Sequence, residues 1–258
     1  MDGLITSLFN FIINFYIFLF FVRMFMTDRE RYDSLLGLVF RATDPILRPL
    51  NASLNLHPTS QAPLLVIVAL IILKGLLFQS IGQAFQSFFS FLFQVYALTL
   101  IVIMSYREYF VNPIVNFAQR LVNPIRAIAA NVSNNLLAVN LISLAGIIVL
   151  HTVLFMILRA HTAQFALKVS LGLILSLTTF FVYAIIINAL LSWVSPDPDN
   201  PVVQLLSLLT APIVEPFRRV IPPLAGMLDL SPIAAIIALT IVRGIGSGIL
   251  EFLLGSAA

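Results

Sequence analysis

Six apolar runs, at about 4–26, 63–80, 86–105, 136–158, 166–194 and 231–253, constrain this chain more than anything else in it. A helix rises 1.5 Å per residue, so about 20 apolar residues cross a hydrocarbon layer of roughly 30 Å. The runs show no strand-like alternation, and in lipid only helices or closed barrels satisfy every backbone polar group. They predict an all-α, polytopic transmembrane bundle of six spanning helices. The second run is the shortest, with Gln79 and Ser80 interrupting its end. Composition agrees: 60% of the 258 residues are hydrophobic and 10% charged, against about 25% charged in a soluble domain. So few charges leave the bilayer as the solvent for much of the surface. The first run lacks a basic leader and a small-residue cleavage site, so it reads as a retained span.

The connections alternate, long after runs one, three and five and short after two and four. That rhythm suggests a repeat. Tyr16 precedes Pro45 by 29 residues, Tyr96 precedes Pro124 by 28, and Tyr183 precedes Pro212 by 29. Asn112-Pro113 and Asn200-Pro201 both put their proline 11 residues before the register proline. Apolar stretches Leu35–Thr43, Ile114–Val122 and Val202–Thr210 follow, and each leads into Pro-Ile. The expectation is three helix–loop–helix repeats, 1–83, 84–164 and 165–258, with short interfacial helices in the long loops. Each repeat holds two spans and returns to its starting side, so the copies would be parallel.

Lys and Arg set the orientation. Ten arginines lie on the long-loop side: Arg23, Arg29, Arg31, Arg41, Arg48, Arg107, Arg120, Arg126, Arg218 and Arg219. The other side claims at most Lys74, Arg159, Lys168 and Arg243. The positive-inside rule then predicts cytoplasmic long loops and both termini on the opposite side of the membrane. The net charge of +3 is spread thinly. No basic stripe interleaved with aromatics exists, so no direct nucleic-acid contact is expected. With no cysteine, thiol catalysis, disulfides and iron–sulfur clusters are excluded on this chain.

Three sets of residues invite a functional reading. The segment Pro212–Pro223 is apolar with an arginine pair. It predicts a short proline-bounded element in the headgroup layer, with Phe217 and Ile221 inward and Arg218 and Arg219 outward to anionic lipid or a partner. Plain juxtamembrane anchoring is the simpler alternative. The second set is basic and intramembrane: Lys74 and Arg243 each lie 11 residues after a proline, and His151 falls at the equivalent place. Such a set could form an anion-attracting or proton-titrating ring, or merely snorkel to the headgroups around a hydrogen-bonded His151. Third, Asn14, Gln94 and Asn188 read as amides that hydrogen-bond between helices.

No enzyme is expected, and no metal or cofactor. His57, His151 and His161 stand apart, and the Asp197/Asp199 pair sits in a proline-rich turn. Gly244-x-Gly246-x-Gly248 lies in an apolar run and reads as helix packing.

The third repeat carries a denser pattern: Ala189-Leu-Leu-Ser-Trp-Val, Asn200-Pro201-Val, Thr210-Ala-Pro212-Ile-Val-Glu-Pro216-Phe-Arg218-Arg219-Val-Ile-Pro222-Pro223, and Asp229-Leu-Ser231-Pro232-Ile. It closely resembles the YggT (YlmG) family of bacterial and plastid membrane proteins over about 180–245. The first repeat, with Asp44-Pro45-Ile-Leu-Arg48-Pro49, and the second, with Asn123-Pro124-Ile-Arg126, are similar but eroded. The resemblance implies a membrane-linked role in osmotic or ionic stress, division and nucleoid partition, or cytochrome assembly. From it follows an expected scaffold or assembly factor for a membrane complex, docking a protein partner or anionic lipid. Its site would be Pro212, Pro216, Arg218, Arg219, Pro222, Asp229, Ser231 and Pro232, with Arg48 and Arg126 from the other repeats. A channel or transporter for osmotic or ion balance is the alternative.

Overall fold

The computed structural model describes residues 2–33, 36–54, 61–78, 80–105, 113–159, 162–194, 200–221 and 229–255. Among these the protein is all helical. In chain order the helices are α1 (Asp2–Met24), α2 (Leu36–Leu54), α3 (Gln61–Leu77), α4 (Ile81–Ser105), α5 (Pro113–Ala130), α6 (Leu136–Arg159), α7 (Ala163–Val194), α8 (Pro201–Arg218) and α9 (Ser231–Leu254). A one-turn 3-10 helix, Asp28–Tyr32, lies between α1 and α2. The chain is a multi-pass membrane protein.

Among the described residues five helices are long and apolar enough to cross a bilayer: Leu4–Met24, Ile81–Met104, Leu136–Leu158, Ala163–Ser192 and Ser231–Leu254. The expected sixth span, at 63–80, is α3, a helix of 17 residues. At 1.5 Å per residue it covers about 25 Å, a little short of the hydrocarbon thickness. Its helix stops at Leu77, just before the polar Gln79 and Ser80 that interrupt the apolar run.

Apolar side chains on the spans face outward in quantity. In α9 Ile233, Ile237, Ile241, Val242, Ile245 and Ile249 are exposed, and only 6% of its apolar window is buried. In water such a surface would be intolerable; lipid supplies its partner.

The long loops hold helices longer than expected. The segments α2, α5 and α8 run for 19, 18 and 18 residues, and their prolines lie inside rather than at the ends. Pro201 opens α8, whereas Pro212 and Pro216 sit within it. A proline inside a helix loses one backbone hydrogen bond and crowds the carbonyl four residues back, at about 3 kcal/mol. In both α2 (Pro45, Pro49) and α8 (Pro212, Pro216) the prolines are four apart, so the freed carbonyls fall on one side. Pro45, Pro49 and Pro216 are exposed, so polar surroundings can satisfy those carbonyls. Unlike the spans, these helices are strongly amphipathic, each with an apolar stripe and a polar side.

The contacts divide the chain into two units: 1–91 with 111–121, and 92–110 with 122–258. In the first, α1 packs on α3, and α2 packs on α1, α3 and the 3-10 turn. Val22, Met26, Leu36 and Phe40 form its core cluster, flanked by Phe18, Val39 and Phe117. Gly37 lets α2 approach the 3-10 turn, since a Cβ there would sit 2.7 Å from the Arg31 carbonyl oxygen. The Thr27 and Glu30 side chains close a reciprocal cap on the turn, and Arg120 of α5 pairs with Glu30.

In the second unit α7 is the hub, packing on α6, α8 and α9. Ile185, Val214 and Ala235 form the cluster where α7, α8 and α9 meet, with Ile213, Phe217, Ile236 and Leu239 around it. At the other end of the α7–α9 pair, Lys168 Nζ donates to the Gly255 carbonyl at 2.7 Å. Gly255 has φ of 75°, a left-handed turn that glycine adopts without strain. Of the three glycines Gly244, Gly246 and Gly248, only Gly246 is packed: a Cβ there would meet Leu175 Cδ2 at 2.7 Å.

Candidate functional site

The best-matched motif of the sequence is built around the junction of α8 and α9. Phe217 turns inward onto the α7–α8–α9 cluster, while Arg218 and Arg219 are exposed. Arg218 also has a structural partner that the sequence did not suggest. Its Nε donates to Asp229 Oδ2 at 2.9 Å, and its Nη1 lies 3.7 Å from Glu215. The cause is the placement of Asp229, two residues before α9. Its other oxygen, Oδ1, accepts the Ser231 N–H at 2.9 Å. Asp229 therefore satisfies an otherwise open donor of α9 and complements the positive end of that helix. Arg218, in the last turn of α8, complements the negative end of its own. One ion pair thus clasps the end of one helix to the start of the next.

Burial pushes the Asp229 carboxyl up; the hydrogen bond from the Ser231 N–H, then the bond and charge of Arg218, outweigh it and hold the group below the usual range. Pro232 supplies the preset φ in the first turn of α9. Arg219 reaches only Glu215, at 4.0 Å. Pro222 lies outside the described residues, as do His57, His161, Asp197 and Asp199.

The same register in the first unit is arranged differently. Asp44 Oδ2 accepts from Arg48 Nη2 at 2.8 Å and from Arg31 Nη2 at 3.3 Å. In α5, Arg126 is half-buried and its Nε has no partner.

The intramembrane basic residues have three distinct environments. Lys74 is 4% exposed and does not snorkel; its Nζ donates to Asn14 Oδ1 and Ser87 Oγ, both at 2.9 Å. A cavity of about 130 Å³ adjoins it, lined by Asn14, Ile17, Lys74, Ala84, Ser87, Phe88 and Phe91. His151, also 4% exposed, bonds Ser170 Oγ through Nδ1 at 2.8 Å and stacks on Phe93 at 4.6 Å. Arg243 is exposed and donates to Thr179 at 2.6 Å. Asn14, Gln94 and Asn188 all bond between helices, to Lys74, Ser176 and Thr210. Among the described residues no three His, Asp or Glu side chains converge as a metal-ligand set.

Sequence reasoning missed the place where Arg23, Arg31, Phe40, Arg41, Asp44 and Arg48 come together. The guanidinium of Arg23, 3% exposed, covers the Phe40 ring at 3.8 Å. An arginine in the last turn of an apolar run, followed by arginines at 31, 41 and 48, was the available signal. Positive-inside anchoring absorbed it too readily.

Comparison with known proteins places this architecture. The CCB3/YggT family profile matches residues 167–250, which run from the start of α7 almost to the end of α9. An uncharacterized protein of Pseudomonas aeruginosa is 39% identical over 82 residues, 30% of this chain and 41% of that relative. An uncharacterized protein from the proC 3′ region of Vibrio alginolyticus is 32% identical over 161 residues, 58% of this chain and 86% of that relative. No solved structure matches. The α7–α8–α9 unit with its Arg218–Asp229 clasp is what the family profile covers, and the chain belongs to the YggT family of membrane proteins.

Proposed function

We propose that this chain is a non-enzymatic scaffold of the inner membrane, whose amphipathic helices α2, α5 and α8 lie in the headgroup layer and dock a membrane complex. The observation that carries the reading is the placement of each amphipathic helix between two apolar ones: α1–α2–α3, α4–α5–α6 and α7–α8–α9. Such a helix offers an apolar face to the bundle and a charged face to anionic lipid or a protein. The arginine bias puts these helices in the cytoplasm and the termini in the periplasm.

A threefold internal repeat is part of the proposal. Two residues before the register proline stand Thr43, Val122 and Thr210, exposed by 0%, 0% and 1%. Thr43 and Thr210 both return their hydroxyl to the carbonyl four residues back, at 2.7 and 2.8 Å.

Purification from native membranes in mild detergent tests the scaffold. A stoichiometric companion should be retained by the parent chain and lost from Arg219→Glu/Val220→Ser, which leaves the Arg218–Asp229 clasp in place. The absence of any stoichiometric companion, or retention by that variant, would count against docking.

A second reading, ion or proton passage, is favoured by one observation: Lys74, buried beside a cavity with only neutral oxygens as hydrogen-bond partners. A buried cation in a membrane is costly, and one that faces a cavity is a candidate for an ion or proton pathway. Flux in liposomes that Lys74→Leu abolishes would establish it; no flux from the parent chain would dismiss it.

A further inference from the structure

We propose that the arginine-lined cleft at the C-terminal end of α1 binds a phosphate group, carried by an anionic phospholipid headgroup or by a free phosphate. The cleft encloses about 410 Å³ and is lined by Arg31, Gly37, Phe40, Arg41, Asp44, Pro45 and Arg48. That volume falls within the roughly 300–1,000 Å³ of small-molecule sites. Three guanidiniums face one carboxylate, so the lining carries a formal charge of +2 (three minus one). Asp44 occupies Arg31 and Arg48 through a single oxygen, Oδ2. It anchors both arginines to α2 and leaves most of their ten N–H groups available. Arg41 has no ion pair among the described residues.

The independent sign is Arg23, whose guanidinium covers the ring of Phe40, itself part of the cleft lining. It is 3% exposed, and its Nε and Nη1 have no hydrogen-bond partner. Unpaired buried donors on a charged group are costly. The Phe40 ring returns only a part of that cost through its attraction for a desolvated cation over its face. Arg31 crowds the same ring at 5.1 Å, so two like charges share it. Asp44 and Asp28 act on the Arg23 charge from a distance, without a hydrogen bond to it among the described residues; Glu30 caps Thr27 and pairs with Arg120, and Asp33 caps α2 at Leu36. An anion in the cleft would relieve this excess.

Depth and geometry select phosphate. Arg23 stands one residue before the end of the span Leu4–Met24, where the hydrocarbon gives way to headgroups. Planar guanidiniums bind phosphate oxygens in pairs, and the compact rim formed by Gly37 keeps Arg31 over the cleft. The proposal assigns a ligand class to one of the three amphipathic helices, α2, and stands whether or not a protein complex docks on them.

The test uses the full chain in a neutral maltoside detergent, with phosphorus NMR to follow titrations of dihexanoyl phosphatidylglycerol, dihexanoyl phosphatidylcholine and inorganic phosphate. Saturable binding of phosphatidylglycerol is expected, weakened about tenfold by Arg41→Gln and by Arg48→Gln, as loss of one charge-assisted contact implies. Lys168→Gln removes the same charge from α7, which does not line the cleft, and should leave binding unchanged. Saturation by phosphatidylglycerol alone identifies the headgroup, and displacement by inorganic phosphate identifies the free group; either upholds the site. The proposal is overturned if neither binds, if phosphatidylcholine binds as tightly as phosphatidylglycerol, or if Lys168→Gln weakens binding as much as Arg41→Gln. Arg41 and Arg48 are exposed, so their variants fold even if Arg23→Gln does not.

Discussion

In α2 the residue before the register proline is Asp44, and Arg48 follows it four positions later on the same helix. In α8 that position is Ala211, and the carboxylate that meets arginine comes from Asp229, beyond the connection to α9. Two helices of like length, with prolines four apart in both, thus manage their arginines differently. Around α2 the arginines outnumber their carboxylate and leave a charged cleft; at α8 the arginine is spent on joining two helices. A positive-inside loop therefore carries two kinds of arginine, one structural and one open to a ligand. Only the partner's location tells them apart.

Five substitutions break or sharpen that contrast. The largest effect should come from Phe40→Ala. This ring is 1% exposed and lies under both Arg23 and Arg31. Removing it should cost about 3–5 kcal/mol, read as a lowered thermal midpoint in detergent, and should abolish phosphate binding. A loss below 1 kcal/mol would mean that the α2 cluster is not a core.

Gly37→Ala should cost about 1–3 kcal/mol, because the new Cβ meets backbone rather than a movable side chain. Gly246→Ala is its counterpart in the second unit, where the Leu175 side chain can turn away. A smaller loss at 37 than at 246 would contradict the close approach of the 3-10 turn.

Asp229→Asn should remove about 1 kcal/mol or less, as befits a partly exposed pair, and should also remove an acid sensitivity. The folded Asp229 titrates below its unfolded value. Its stabilisation is therefore complete above the ordinary carboxylate range, near 4, and is lost as pH falls through the lower folded value. Melting scans from neutral to pH 3 should show the parent losing more than Asp229→Asn. Parallel losses would deny the clasp.

The smallest effect belongs to Arg219→Ala. With its partner at 4.0 Å and its side chain exposed, stability should change by less than about 0.5 kcal/mol. A larger loss would show that both arginines of the pair are structural.

Much of the architecture was legible in the residues. Helices, bilayer and amphipathic connectors follow from run length and periodicity, which are local. The boundaries suffered where local rules compete. Pro212 read as the opening of a short proline-bounded element, yet α8 begins at Pro201 and runs through Pro212 and Pro216, because its apolar face packs on α7 and α9. At 63–80 an uncertain span became a helix of 17 residues. Phe217 was placed inward correctly, from its spacing alone.

What the sequence by itself determined is the solvent and the class: too few charges and too many long apolar runs for any fold but helices in lipid. Family membership was also readable there, in a motif of contiguous residues. Tertiary structure alone decided which polar groups meet. Lys74 finds Asn14 sixty residues away, and Arg243 finds Thr179 at sixty-four. Arg23 finds an aromatic ring and no acceptor for two of its donors. Charge balance is a property of three-dimensional neighbourhoods, and the order of residues along a chain does not encode it locally.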